Sequence, residues 1–155
     1  MEKRSFMRVD AVSKKRKSSA AEDVSAEFSR RYAHSDGLSP FEWRARLKSV
    51  MSEKAGVLRD EKSLLKAENE IQSLMEMKMS AGSGFAAASR LVLAAENEKM
   101  AKLALTVVKS AMERKESRGS HQRTDYPEQS GDYLCNFITV NRDGVPAVER
   151  RECVK

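Results

Sequence analysis

Ser39-Pro40-Phe41-Glu42-Trp43-Arg44-Ala45-Arg46-Leu47-Lys48-Ser49-Val50-Met51 opens a helix and fixes one of its faces. The Ser39 hydroxyl can accept from the Glu42 amide while the Glu42 carboxylate reaches back, and Pro40 sits where no donor is needed. Trp43, Leu47, Val50 and Met51 then recur at helical spacing, with Arg44, Arg46 and Lys48 elsewhere, until Gly56 interrupts the pattern. Such a stripe cannot stay in water, so the helix needs partners.

Two further helices are predicted downstream. Asp60 is placed to cap one carrying Leu64, Ala67, Ile71, Leu74 and Met75, and Gly82-Ser83-Gly84 breaks it. The other runs from about Ser89 to Lys115, with Leu93, Met100, Leu103, Ala104, Val107, Val108, Ala111 and Met112 on one side. Three stripes joined by short breaks predict an all-α fold, an antiparallel three-helix bundle of spectrin-repeat-like form, stabilised mainly by burying the stripes against one another. Met51, Met75, Met77, Met100 and Met112 lie in or beside these stripes and read as core packing rather than a soft-metal site.

After Gly131 the period changes. Tyr133 to Val140 is rich in β-formers, Asn141-Arg142-Asp143-Gly144 is a turn signal, and Val145 to Val154 can return as a second strand. A short C-terminal β-hairpin or extended tail follows, one that needs the bundle, or another chain, to pack against. On the other side, Val24, Phe28 and Tyr32 at every fourth position place a short helix within Ala20 to Tyr32, ended by His34 to Leu38. The predicted organisation is a basic polar lead with a short helix over 1–38, the bundle over 39–130 and the hairpin or tail over 131–155.

The chain has 155 residues, 40% hydrophobic, 34% charged and 6% aromatic, which excludes collagen-like, mucin-like and disulfide-built classes and leaves no room for a second catalytic domain. Of the net charge of +6, the first 19 residues carry +5, including the Lys14 to Lys17 cluster, so the remainder is nearly neutral. The basic character therefore belongs to a solvated lead, and nucleic acid is not the expected partner. Cys135 and Cys153 have no His or Asp at metal spacing and read as reduced thiols. With no apolar run of membrane-spanning length and no signal-peptide core, the expected location is the cytoplasm, with the membrane surface reached through a complex.

Two motifs carry chemistry. Gly82-Ser83-Gly84-Phe85-Ala86-Ala87 formally matches the glycine fingerprint of dinucleotide binding, but that fingerprint must follow a buried strand. Met75 to Ala81 reads instead as continuing helix, so the glycines are expected to be a helix–helix connection. The second is Arg114-Lys115-Glu116-Ser117-Arg118-Gly119-Ser120-His121-Gln122-Arg123-Thr124-Asp125-Tyr126-Pro127-Glu128. It begins where cations favour a helix end, and Gly119 is placed to stop that helix. His121, Arg123 and Asp125 follow at alternate positions, on one side of an extended chain. Arginine forks there suit carboxylates or phosphates, and two readings stay open: an internal ion-pair cluster or a docking surface.

The run from Arg114 to Pro127 resembles the signature of the succinate dehydrogenase and fumarate reductase flavoprotein family, shared by L-aspartate oxidase. Similarity extends through Val107-Val108-Lys109-Ser110-Ala111-Met112 and through Trp43 to Leu65, including Gly56-Val57-Leu58-Arg59-Asp60-Glu61, covering about Pro40 to Glu149. The resemblance implies the family's C-terminal domain, a three-helix bundle with an extended tail. It implies FAD in the parent enzyme, which oxidises succinate or reduces fumarate, with an iron–sulfur subunit as a further partner. The family's FAD-binding and capping domains, with their catalytic residues, lie N-terminal to the matched region. This chain alone is accordingly expected to bind no cofactor and to carry no catalytic residue. Arg114, Glu116, Ser117, Arg118, His121, Arg123 and Asp125 are the expected contacts with the flavin domain or an electron-transfer partner. The other reading is a repurposed helical interaction module whose basic tail binds an acidic partner or nucleic acid.

Overall fold

A computed structural model describes residues 22–24, 26–27, 29–32, 36–84 and 86–153. Helix α1 spans Pro40–Lys54 and opens with the expected capping box: Ser39 Oγ accepts the Glu42 amide at 3.2 Å and the Glu42 carboxylate accepts the Ser39 amide at 3.1 Å. A two-residue strand β1 (Leu58–Arg59) leads to α2 (Glu61–Glu76), capped by Asp60, whose carboxylate accepts the Ser63 amide at 2.9 Å. Helix α3 spans Ala87–Glu113. The chain then forms β2 (Gln122–Arg123), a short 3-10 turn at Gly131–Tyr133, and the antiparallel hairpin β3 (Cys135–Arg142) and β4 (Val145–Glu152).

The helices run up, down and up. Trp43, at the start of α1, donates its indole N–H to the Leu74 carbonyl at the end of α2 (2.9 Å). Lys109, late in α3, pairs with Glu68 of α2 (3.5 Å), and Arg44 of α1 reaches Asn97 in the first half of α3 (2.7 Å). Trp43, Leu47, Leu64, Ala67, Ile71 and Leu74 form the core between α1 and α2, as their spacing predicted. Asn97 is the polar group of that core, donating to the Pro40 carbonyl at 2.7 Å while accepting from Arg44.

The face that α3 buries matches the expected one in part: Ala104, Val108 and Ala111 are buried and Met112 packs on the core, but the stripe is shifted at its large residues. Ala94, Ala101, Ala104, Leu105, Val108 and Ala111 point inward, while Leu103 is 64% exposed and Met100 and Val107 also face out. Counting large apolar residues favours the wrong side of this helix: where three helices meet closely, side chains of alanine size let the backbones approach. The methionines divide likewise. Met51 and Met112 pack against the core, Met75, Met77 and Met100 are exposed, and Met79 is the buried one. Helix α2 ends at Glu76, so Met75 to Ala81 is not continuous helix; Met79 instead bridges Leu38, which exchanges backbone hydrogen bonds with Lys78 and Ser80. The glycine-rich stretch that follows connects α2 to α3, and no side chain caps the start of α3.

Gly119 does not stop α3, which has ended at Glu113. With φ of +60° it begins a two-residue turn across which Arg118 and His121 exchange both backbone hydrogen bonds, at 2.8 and 3.1 Å. The β3–β4 turn is made by Asp143 and Gly144, both at positive φ, in register with Arg142 opposite Val145. This hairpin packs on α3, with Thr139 Oγ1 3.4 Å from Ser110 Oγ. Toward the N-terminus, residues 22–24, 26–27 and 29–32 are helical, Val24 is exposed, and Tyr32 is buried, its hydroxyl donating to Glu98 (2.6 Å) and its carbonyl accepting from Ala81 (2.9 Å). Phe28, His34 and the basic Lys14 to Lys17 cluster lie outside the described residues.

Candidate functional site

The end of α3 creates the problem that the following segment solves. The last carbonyls of a helix have no intrahelical donor and carry partial negative charge. Arg123, whose side chain is fully buried, places Nη1 3.0 Å from the Ala111 carbonyl and 3.4 Å from those of Met112 and Arg114. Its other two nitrogens grip both oxygens of Asp125 at 2.7 Å, and its plane lies over the Tyr126 ring. Asp125 in turn accepts the Glu61 amide at the start of α2 (2.9 Å). One ion pair therefore sets a cation against the C-terminus of α3 and an anion against the N-terminus of α2, the favourable sign at each end.

A second pair of bonds is built around Glu116, which is completely buried. Arg118 binds it bidentately at 2.9 and 3.0 Å, the Ser130 amide donates at 2.9 Å, and Arg114 donates to the same carboxylate. Arg114 also donates to the Tyr133 and Cys135 carbonyls and stacks on Phe137, tying the end of α3 to the start of β3. The Arg118 fork, more than offsetting burial, holds the Glu116 carboxyl down at about 2; the Arg123 fork does the same for Asp125, also to about 2. The Ser117 hydroxyl, buried, accepts the Arg123 amide at 2.8 Å and lies 2.9 Å from the Tyr126 carbonyl, so it fixes the return of the loop.

His121 sits between two cations. A guanidinium has no acceptor, so the contact of Arg59 Nη1 with Nδ1 at 2.9 Å makes Nδ1 the acceptor and puts the ring proton on Nε2, which faces the Arg114 carbonyl at 3.1 Å. Burial, joined by the charges of Arg59, Arg123 and Arg114, pushes the imidazole below its ordinary pKa despite that carbonyl. The ring is neutral. β1 and β2 pair in parallel, Leu58 with Gln122 and Arg59 with Arg123, and the Thr124 amide donates to the Arg59 carbonyl at 2.8 Å.

All seven residues singled out in the sequence, Arg114, Glu116, Ser117, Arg118, His121, Arg123 and Asp125, are thus gathered in one knot. The internal ion-pair cluster is observed directly. Glu116, Ser117 and Arg123 are buried within it, while Arg118, Arg114, His121 and Asp125 keep part of their surface. Arg59 belongs to the same cluster and was not among the residues singled out, although it lies in the quoted stretch before Asp60; nothing in local spacing links it to His121, 62 positions away. Among the described residues no group of three or more His, Cys, Asp or Glu could hold a metal ion, and both cysteines are free thiols, Cys135 buried and Cys153 exposed. No described helix is long and apolar enough to cross a membrane.

Comparison with known proteins places this geometry. The family described as "Fumarate reductase flavoprotein C-term" matches residues 44–154. The fumarate reductase flavoprotein subunit of Helicobacter pylori (strain J99) is 36% identical over 133 residues, covering 77% of this chain and 18% of the relative. That of Haemophilus influenzae is 33% identical over 135 residues, covering 83% of this chain and 22% of the relative. Among solved structures, Escherichia coli quinol fumarate reductase superposes with a TM-score of 0.68 at 22% identity over 87% of this chain. Adenylylsulfate reductase from Archaeoglobus fulgidus reaches 0.73 at 21% identity over 89%. These two matches cover 24% and 25% of those chains respectively, and at such identities they speak for the fold alone. The chain spans about a fifth of the length of the curated relatives it matches.

Proposed function

The chain belongs to the succinate dehydrogenase and fumarate reductase flavoprotein family, as its C-terminal domain, and from that premise we propose that it serves assembly with the flavin-carrying part of such an enzyme rather than chemistry of its own. The family is one of flavoprotein subunits, which supports FAD as the cofactor of the parent enzyme; in this reading residues beyond the bundle hold it. An iron–sulfur subunit is a further partner. The observation that carries the reading is the extent of the match: it takes in the bundle, the knot and the hairpin together, as one folding unit. The comparisons support this over a free-standing interaction module.

Within that role, Arg118, Arg114, His121 and Asp125 present the contact surface, and Glu116, Ser117 and Arg123 hold them in place from beneath. Arg118 is the best placed: about a third of its side chain is exposed, while its fork stays fixed on Glu116. The test is purification of the full chain from its source with a visible spectrum of whatever copurifies. A larger yellow FAD protein at constant stoichiometry is expected, and Arg118→Ala is expected to reduce its recovery. A chain that elutes alone, with no flavin in its fractions, would overturn the reading.

A further inference from the structure

Beside the knot lies a cleft of about 420 Å³ between α3, β3 and the turn holding His121, lined by Arg59, Arg114, His121, Thr106, Ser110 and Thr139. It contains two guanidiniums and three hydroxyls and no acidic side chain. The two cations are not equivalent. Arg114 is paired with Glu116, a carboxylate it shares with Arg118. Arg59 donates Nε to the Gly56 carbonyl (2.5 Å) and Nη1 to the neutral His121 ring (2.9 Å), and among the described residues no carboxylate lies within ion-pairing distance of it. Its neighbour Asp60 is turned away, both oxygens being taken by Ser63 at the cap of α2. Arg59 is half-buried, and removal of a cation from water without a counterion is unfavourable until an anion arrives.

We propose that this cleft is a docking pocket for a carboxylate side chain, Asp or Glu, presented by an apolar segment of the flavin-carrying part of the enzyme, with Arg59 as the receiving cation. Charge complementarity selects the carboxylate: the fork of Arg59 has Nη2 left over, and of the Ser110 and Thr139 hydroxyls, which bond each other, the one that accepts has its proton free for the same anion, while Thr106 donates to the Lys102 carbonyl. The rim selects a protein over a free anion. Val107, 41% exposed, Ala111 and Phe137 make the apolar part of the cleft wall. A small anion in water would leave these apolar faces wet, whereas an acidic residue flanked by apolar ones covers them and excludes water from the ion pair. The pocket rests on the assembly role proposed above and names its point of attachment.

The test uses the tagged full chain in its source cells, with the captured FAD protein quantified by flavin absorbance. Arg59→Gln is expected to lower capture at least ~10-fold, since truncating one partner of a buried charged pair raises the dissociation rate. Because Arg59 also holds His121, a second substitution separates docking from folding: Thr106→Glu supplies a carboxylate to the cleft from α3 itself. It is expected to block capture equally while melting several degrees higher than Thr106→Gln, and to lose that advantage when Arg59 is also changed to Gln. Capture unchanged in both variants, or equal melting of Thr106→Glu and Thr106→Gln, would overturn the pocket while leaving the assembly role standing. If the unaltered chain captures no flavoprotein, the assembly role falls and the pocket with it. Stabilisation of the lone chain by millimolar phosphate or succinate, dependent on Arg59 and without effect on capture, would show a free-anion site and overturn the proposal as well.

Discussion

The two ends of α3 are held by opposite kinds of chemistry. Around its first half and middle, α1 and α2 present Trp43, Leu47, Leu64, Ile71 and Leu74 to a face made largely of alanine, and what matters there is volume and closeness. At its last turn the partners are Arg123, Asp125, Arg114 and Glu116, and what matters is that each buried charge finds its counterion. An apolar core degrades by the methylene, because neighbours relax into the space left behind. A buried ionic knot fails by the residue, because removing one partner strands the other without water. The same helix thus has a tolerant anchor and an intolerant one, and the intolerant one lies beside the proposed docking pocket.

Breaking either anchor should give the largest effects. Asp125→Ala strands the fully buried Arg123 without its counterion, and a loss of about 3–5 kcal/mol in denaturant-induced unfolding is expected. Replacing both partners at once, Arg123→Met with Asp125→Leu, should cost less than Asp125→Ala alone; if the double variant is the less stable, the knot is held by its hydrogen-bond count rather than by charge pairing. The apolar anchor is broken by Trp43→Ala, for roughly 3–5 kcal/mol, but here rescue follows volume: Trp43→Phe should recover most of the loss, missing only the bond to the Leu74 carbonyl.

Acid should separate the anchors without mutation. Glu116 and Asp125 sit at about 2 in the folded chain, below their ordinary values of 4.5 and 3.8, so between those limits the unfolded chain binds more protons. Their contribution is complete above pH 4.5 and is lost as the pH falls toward 2. His121 adds an earlier loss: held below 6.5 and neutral in the fold, it takes up its proton more readily when unfolded, so stability declines as pH falls below that value. Melting temperature followed from pH 7 to pH 2 tests both, and Glu116→Gln should flatten the lower part of the curve; an unchanged slope would remove Glu116 from the account. A smaller effect is expected at the start of α1, where Ser39→Ala deletes one side of the capping box for about 1 kcal/mol by thermal melting. Smallest of all is Leu103→Gln on the outward face of α3, within about 0.5 kcal/mol for the lone chain.

Both helix caps were legible in the sequence, because a cap is a contract among residues three apart, and Ser39 with Glu42 and Asp60 with Ser63 meet it. The stripes of α1 and α2 were legible for the same reason. The inward face of α3 was legible only in part: Ala104, Val108 and Ala111 stood in the expected stripe, but Leu103 and Val107 outweigh Ala94 and Ala101 in any count of hydrophobicity, and only the presence of two other helices makes the small side chains the buried ones. Gly119 shows a milder version of the same limit. Its need for positive φ was readable, but whether that φ ends a helix or starts a turn depends on Arg118 and His121 meeting across it.

The knot lies between these cases. Arg123 and Asp125 pair, but across a turn at Thr124 and Asp125 that the Tyr126 amide closes on the Arg123 carbonyl rather than along the extended segment their alternate spacing suggested; the resemblance of Arg114 to Pro127 pointed to the family whose C-terminal domain the chain matches. What the amino-acid sequence determined by itself is therefore the set of local contracts: the helices, the β3–β4 turn and the alternating Arg–Asp pair, all enforced within a few bonds of backbone. What only the tertiary structure decided is which charges are spoken for. Glu116 meets the Ser130 amide 14 residues on, and Arg59 meets His121 and no acid. Such long-range pairings exist only once the bundle has closed and removed the water that would otherwise have served each charge equally well.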